Sequence, residues 1–294
     1  MEDKEKNIKI WAGEIGGYKL LDSGDKKKLE EINGTRIVRN EPRAWWKKEL
    51  PEEKWKKAES FALQGESLER VVDIFDGIKA KIKFKSSSKH IGIFPEQAEQ
   101  WRFIEGKIKK WKEENIGKGK KEEKLNILNL FGYTGIASLV AAKARAKVTH
   151  VDASKQSVDW ARENQKLSGL EDAPVRWIVD DVVKFIKKEI RRGEKYDAII
   201  MDPPSYGKGP NGEIWKIEEE LPDLLLACRE ILSDKPIFVI FNMYSTELSS
   251  ISVANLLADM TKDLGGTIES GELAIKQHGS ERLLPMSIFA LWQK

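Results

Sequence analysis

The 294-residue chain carries 51 Lys+Arg against 48 Asp+Glu, a formal charge of +3, with 40% hydrophobic residues, so it can bury a core without disulfides or metal staples. A single cysteine, Cys228, and three scattered histidines (His90, His150, His278) exclude a disulfide framework and show no metal-ligand spacing, so no metal is expected. No apolar run approaches the ~20 residues of a membrane span, and MEDKEKNIKI lacks a signal-peptide core, so a cytoplasmic enzyme or binding protein with no membrane contact is expected.

The charge is unevenly placed. Residues 1–124 hold 30 basic and 24 acidic side chains, a balance of +6, and residues 125–294 hold 21 and 24, a balance of −3. The front part could face a polyanion, although a well-solvated surface explains the same excess.

Residues 1–93 read as a small β-rich domain. Asn33-Gly34, between KLEEI and TRIVR, is a hairpin signal, because both turn positions require positive φ. Asp76-Gly77 repeats it between ERVVDIF and IKAKIKFK. In the latter run Ile78, Ala80, Ile82 and Phe84 alternate with Lys79, Lys81, Lys83 and Lys85, which predicts a strand with one buried and one basic face. Between the hairpins, Trp45, Trp46 and Trp55 interleave with Lys47, Lys48, Lys54, Lys56 and Lys57 around a short helix. These aromatics either stack on bases, with the lysines on phosphates, or pack a small core.

Residues 94–294 read as a second domain. A helix is predicted over 95–115, with Pro95 in its first turn and Trp101, Ile104, Ile108 and Trp111 on its core face. GKGKKEEK reads as a solvated connector. From Leu125 strands and helices alternate: strands at 125–131, 147–153, 175–179, 196–202 and 236–242, with helices after each. Two final strands, near 267–275 and 285–292, suggest an antiparallel edge hairpin. Near-continuous apolar strands separated by helices predict a parallel sheet covered on both faces, the α/β class.

Ligands of such sheets bind outside the carboxyl ends of the strands, and four loops there are informative. Asn129-Leu130-Phe131-Gly132-Tyr133-Thr134-Gly135 joins strand to helix, Gly132 allowing a tight turn and Gly135 a close ligand approach. Asp152 and Ala153 end the second strand, 20 residues after Gly132, where an acid can accept from both hydroxyls of a ribose. Capping of the next helix is its alternative role, one that Ser154 could take. Asp180-Asp181-Val182 ends the third strand. Either acid could accept an adenine amino group or favour a helix start, and Asp181 is the preferred adenine partner. After the fourth strand, Asp202-Pro203-Pro204-Ser205-Tyr206 forms a rigid loop that lacks two N–H donors.

In that order, LNLFGYTGIASL, HVDAS, ENQKLSGL, VDDVVKFI and MDPPSYG resemble class I S-adenosylmethionine-dependent methyltransferases. More narrowly, they resemble bacterial large-subunit (23S) ribosomal RNA base methyltransferases, whose relatives modify cytosine C5 or guanine N7. GIFPEQ and DPPSYGKGPNGEIW are similar to a branch with a short β domain and no PUA domain. The resemblance implies a seven-stranded Rossmann-like sheet behind a small N-terminal β domain, S-adenosylmethionine as cofactor and RNA, ribosomal in particular, as partner. It implies that Gly132, Thr134 and Gly135 wrap the methionine end of the cofactor, with Asn129 and Phe131 beside them. Asp152 with Ala153 would hold the ribose, and Asp181 with Asp180 and Val182 the adenine. Phe94 and Gln97 would line the mouth of the site, and Asn164 would brace the second helix. Asp202, Pro203 and Pro204 would frame the methyl group and target base, on which Tyr206 would stack.

The chain departs from the family pattern in its chemistry. Methylation at cytosine C5 of RNA needs a cysteine that adds to the ring. Its two family locations read Asn242-Met243-Tyr244-Ser245 and Pro203-Pro204-Ser205 here, and Cys228 lies mid-helix. Direct transfer to a nitrogen is the expected reaction. DNA, protein or a small molecule are alternative substrates. A glycine loop followed by an acid also fits an NAD-dependent oxidoreductase, against which the incomplete GxGxxG and the double proline count.

Overall fold

The computed structural model describes residues 8–63, 68–84, 90–115, 124–244 and 247–294. Lys85 and nearly all of the GKGKKEEK connector lie outside these residues.

The large sheet is built from the alternating segments. Strands β7 (Asn126–Leu130), β8 (Lys147–Asp152), β9 (Val175–Val179), β10 (Ala198–Met201) and β13 (Phe238–Met243) run parallel, in the spatial order β9-β8-β7-β10-β13. β15 (Leu283–Gln293) lies antiparallel beside β13, and β14 (Thr267–Lys276) antiparallel beside β15. The sheet has eight strands rather than the expected seven. β1 (Lys9–Trp11), from the N-terminal region, adds parallel to β14, so the terminal hairpin does not form the edge.

Helices α3 (Ile136–Lys143) and α4 (Lys155–Leu167) follow β7 and β8, and α5 (Val182–Arg192), α6 (Ile217–Ile231) and α7 (Ser250–Thr261) follow β9, β10 and β13. Three of them, α4, α5 and α7, start at short polar capping side chains, whereas α3 starts at Gly135 and α6 at Lys216 without one. Ser154 caps α4 by accepting from the Ser157 N–H, and Ser249 caps α7 in the same way. Pro95 opens a 3₁₀ turn, Pro95–Gln97, that leads into α2 (Ala98–Asn115), whose Trp101, Ile104 and Ile108 are buried.

The N-terminal strands β2 (Tyr18–Gly24), β3 (Lys27–Ile32) and β4 (Thr35–Asn40) form an antiparallel meander. Strands β5 (Leu68–Phe75) and β6 (Ile78–Phe84) form a separate hairpin. Both Asn-Gly and Asp-Gly turns take the expected left-handed conformations, at Asn33-Gly34 and Asp76-Gly77. Packing is continuous across residue 93. One core joins Tyr18, Leu20, Val72 and Ile82 to Ile104, Ile127, Val148 and Phe289. A second, on the opposite face of the sheet, joins α5, α6 and α7.

Two expectations for the basic region change. Only Lys79 on the lysine face of β6 is exposed, because Lys81 and Lys83 lie against α4. Lys81 pairs with Glu163 at 2.8 Å and Glu69 at 3.0 Å, and Lys83 lies 3.6 Å from Glu163 with its ammonium 4.7 Å from the Trp160 ring centre. Of the three tryptophans, two are structural. Trp55 is fully buried and donates its indole N–H to Asp22, whose carboxylate also accepts the Glu49 and Leu50 amides beside the helix α1 (Glu52–Leu63). Trp46 donates to the Ser23 carbonyl.

Asn164, buried on α4, ties the parts together. Its carbonyl accepts the Lys81 amide of β6 at 2.8 Å, and its NH₂ donates to the Thr134 carbonyl at 3.0 Å. Replacement by alanine leaves two backbone groups without partners in a dry site, at ~1–3 kcal/mol each. Asn164→Ala is therefore expected to lower unfolding stability by about 2–6 kcal/mol, read from urea midpoints; a loss below about 0.5 kcal/mol would contradict this.

Candidate active site

The carboxyl ends of β7, β8, β9 and β10 open onto a cavity of about 680 Å³. Its wall includes Phe94, Phe131, Asp152, Ala153, Asp181, Val182, Asp202, Pro203 and Pro204 from the expected set. Asn129, Gly132, Thr134, Gly135, Gln97, Asp180 and Tyr206 do not line it, and each has a physical reason to lie elsewhere.

The loop after β7 is held by unusual backbone. Phe131 and Tyr133 adopt left-handed conformations (φ 56° and 49°), as does Gly135 (φ 80°). Gly132 does not, so the turn is carried by its neighbours. What requires glycine at 132 is packing, since a side chain there would overlap the His150 imidazole. A side chain at Gly135 would meet Ala161 and Trp177, so packing as well as its left-handed backbone requires glycine there. Thr134 is buried and donates to the Gly92 carbonyl at 2.7 Å, tying this loop to the GIFPEQ segment. Asn129 is buried in β7 and donates to Ser138, which contacts His150. Burial pushes His150 down to about 3, so its ring is neutral.

The Asp152 carboxylate accepts the Tyr133 amide at 2.9 Å through Oδ2 and the Ser154 amide at 2.8 Å through Oδ1. Burial raises its pKa while these bonds oppose the shift. The left-handed loop is thus fixed by the same acid that faces the cavity. Asp181 caps α5, one oxygen accepting the Lys184 amide at 2.9 Å. Asp180 turns away and pairs with Lys188 at 2.6 Å. Only Asp181 of the two reaches the cavity.

The segment after Asp202 is not simply a loop. It holds a short hairpin, β11 (Tyr206–Lys208) and β12 (Ile214–Lys216), joined by the five-residue loop 209–213, in which Gly212 but not Asn211 is left-handed. Strand alternation turns Tyr206 outward, leaving it 54% exposed. The aromatic that faces inward is Trp215. Its ring centre lies 5.2 Å from that of Phe131, and its N–H donates to the Pro204 carbonyl at 2.6 Å.

Asp202 is the end of a hydrogen-bonded chain. Gln97 donates to Asp202 Oδ2 at 2.9 Å and to the Tyr244 hydroxyl at 3.3 Å. Tyr244 in turn donates to Glu96 Oε1 at 3.0 Å. Glu96 is buried, and its Oε2 has no partner among the described residues. Burial, with the Glu96 charge adding to it, pushes the Asp202 carboxyl up to about 7 against the Gln97 hydrogen bond. Glu96, Tyr244 and Trp215 stand outside the expected site. The motif neighbours of Glu96, and the Asn-Gly turn before Trp215, were the available signals.

The remaining wall comes from the N-terminal meander: Lys28, Arg39, Asn40, Glu41, Pro42 and Arg43. Arg39 grips Glu30 through two bonds of 2.5 and 2.6 Å, and Tyr18 donates to the same carboxylate. Lys28 pairs with Glu41 at 3.2 Å. Burial opposes ionisation of Glu30, but Arg39 and Lys28 together bring it down to about 2. The cavity therefore has an acidic floor and a wall in which cations and carboxylates are interlocked.

Because Asp202 keeps its proton in the folded state up to about pH 7 while the unfolded carboxyl ionises near 4, stability falls as pH rises between those values. In the ligand-free protein, the Tm of Asp202→Asn relative to the parent is expected to rise from pH 4 to pH 7 and to level off above. A pH-independent gap would contradict the burial of this carboxyl.

The S-adenosylmethionine-dependent methyltransferase family model matches residues 62–240. A crystal structure of the SAM-dependent methyltransferase from Agrobacterium tumefaciens is 38% identical with a TM-score of 0.87, over 97% of this chain and 93% of that one. The ribosomal RNA large subunit methyltransferase K/L of Shewanella frigidimarina is 37% identical over 117 residues, 39% of this chain and 16% of that protein. The ribosomal RNA large subunit methyltransferase I of Aeromonas salmonicida is 38% identical over 104 residues, 35% of this chain and 24% of that protein. The matches thus span a quarter or less of these two curated relatives. The length of the family match, and the near-complete overlap with the Agrobacterium enzyme, lead to one conclusion: this chain belongs to the S-adenosylmethionine-dependent methyltransferases.

Proposed function

We propose that the enzyme methylates a nitrogen of a base in ribosomal RNA. The observation that carries this reading is the cavity itself, where the Asp202-Pro203-Pro204 loop faces the basic residues of the N-terminal meander across one space. The names of the curated relatives support the class of substrate. The position of the only cysteine supports nitrogen over carbon: Cys228 is fully buried in α6 within the hydrophobic core, and burial pushes its thiol up, away from the nucleophilic thiolate.

The residues present fit the cofactor. Asp152 offers a fixed carboxylate for ribose hydroxyls, Asp181 and Val182 stand at the next strand end for the adenine, and Phe131 and Phe94 supply apolar walls. When bound, S-adenosylmethionine supplies an electrophilic methyl group. The chain does the rest by placement. The Pro203 and Pro204 rings stiffen the loop that presents Asp202. Gln97 immobilises Asp202 Oδ2, and Oδ1 has no hydrogen bond among the described residues, so it is free to accept an N–H of the target. Loss of the methylated nitrogen's proton is then assisted by a carboxylate held near neutral pKa, where a general base is most effective. Trp215 and Phe131 offer faces for stacking, and a base paired in a helix would first be flipped out.

Labelled-methyl transfer to ribosomal RNA, ribosomal subunits and DNA, followed by nucleoside analysis, tests the proposal; label on an RNA base nitrogen is the expected result, and label only on DNA or protein would overturn it. S-adenosylhomocysteine should raise the Tm and NAD should not.

Four variants test the residue roles. Asp202→Ala is expected to lower turnover by at least about 100-fold, the lower range for a lost general base. Asp181→Ala should weaken S-adenosylhomocysteine binding by about 10-fold, equivalent to one hydrogen bond to a charged group, while Asp180→Ala leaves it within about twofold. Cys228→Ala should retain turnover; its abolition in folded protein would restore thiol chemistry.

A further inference from the structure

One aromatic of the basic region is left in solvent while everything around it is fixed. Trp45 is 80% exposed. Its backbone belongs to a tightly bonded corner: Asp25 N–H donates to the Trp46 carbonyl, Lys26 N–H to the Ala44 carbonyl, and Glu41 N–H to the Lys26 carbonyl, at 2.7–2.8 Å. The ring is also held, its N–H donating to the Pro42 carbonyl at 2.7 Å. Pro42 and Arg43 are themselves part of the cavity wall. The indole therefore stands beside the cavity mouth, one hydrogen bond away from a lining residue. Exposed Lys26 lies 5.9 Å from the ring centre, and Lys47, 91% exposed, lies across the same corner, paired with Asp25.

We propose that Trp45 is a stacking platform for an unpaired nucleotide of the RNA, flanking the one that enters the cavity. This rests on the RNA reading above. A rigid, solvent-facing indole loses little conformational entropy when a flat partner covers it. Every base has a π-face, so the contact is tolerant of sequence. Lys26 and Lys47 supply the positive charge that a phosphate backbone requires and that an apolar partner does not. Trp46 and Trp55, by contrast, give their N–H groups to the protein and are unavailable for this role.

The test is methylation kinetics on large-subunit ribosomal RNA transcribed in vitro, comparing the parent, Trp45→Ala and Trp45→Phe. Trp45→Ala is expected to raise KM for RNA about 10-fold with kcat within about twofold, and Trp45→Phe to recover most of the loss. S-adenosylhomocysteine binding, followed by thermal shift, should be unchanged and reports that the variants are folded. An unchanged KM in Trp45→Ala, with the parent active on RNA, would overturn the platform and leave the proposed function standing. If that variant instead dissociates a dimer of the parent, the tryptophan belongs to a contact between copies, which also overturns the proposal. A parent that methylates no RNA overturns both readings.

Discussion

Asn164 sits where two parts of the molecule that do not share a sheet must agree on one geometry. Its amide has a donor side and an acceptor side, and both are used on backbone, one on the loop after β7 and one on β6. The loop it steadies contains three left-handed residues, two of them aromatic. Such a backbone persists only where its surroundings over-determine it. Asp152 supplies the second restraint through the Tyr133 amide, and Thr134 the third through Gly92. The β7-loop side of the cavity and its connection to the N-terminal hairpin therefore stand or fall together.

The cavity divides its polar groups by role. Asp202, Tyr244 and Glu96 on the floor are joined through Gln97 behind it, which donates to both Asp202 and Tyr244, into a chain with a carboxyl at either end. Burial keeps both carboxyls protonated further up the pH scale than in water. On the opposite wall, Arg39, Lys28 and Arg43 are matched by Glu30 and Glu41, so the cations are held in place by ion pairs within the fold. The net charge of the front half is thus a poor guide to where free positive charge stands, because much of it is neutralised within the fold.

Much of the fold could be read along the chain. The hairpin turns, the helix starts at Ser154 and Pro95, and the alternating strands and helices all depend on near neighbours in sequence. The strand-end acids were legible for the same reason, since a ligand at the carboxyl edge of a parallel sheet meets whatever follows each strand. The errors have a common cause in side-chain direction. Tyr206 and Trp215 sit on a hairpin whose five-residue loop carries an Asn-Gly pair, and the two-residue alternation of a strand decides which aromatic looks inward. Gly132 was read as allowing a tight turn and Gly135 a close ligand approach, whereas the space a side chain would need at each is filled by His150 and by Ala161 and Trp177.

From the sequence alone come the α/β class, the methyltransferase resemblance, the positions of Asp152, Asp181 and Asp202 at strand ends, and the mid-helix place of the lone Cys228. Only the tertiary structure decided that Asp181 rather than Asp180 faces the cavity, that Glu96 and Tyr244 stand behind Asp202, and that the N-terminal meander forms a wall. The physical reason is distance along the chain. Gln97 meets Asp202 across 105 residues, and Glu96 meets Tyr244 across 148. Local spacing determines which loops reach the carboxyl edge of the sheet, but only packing determines which side chains from remote segments are buried against one another there.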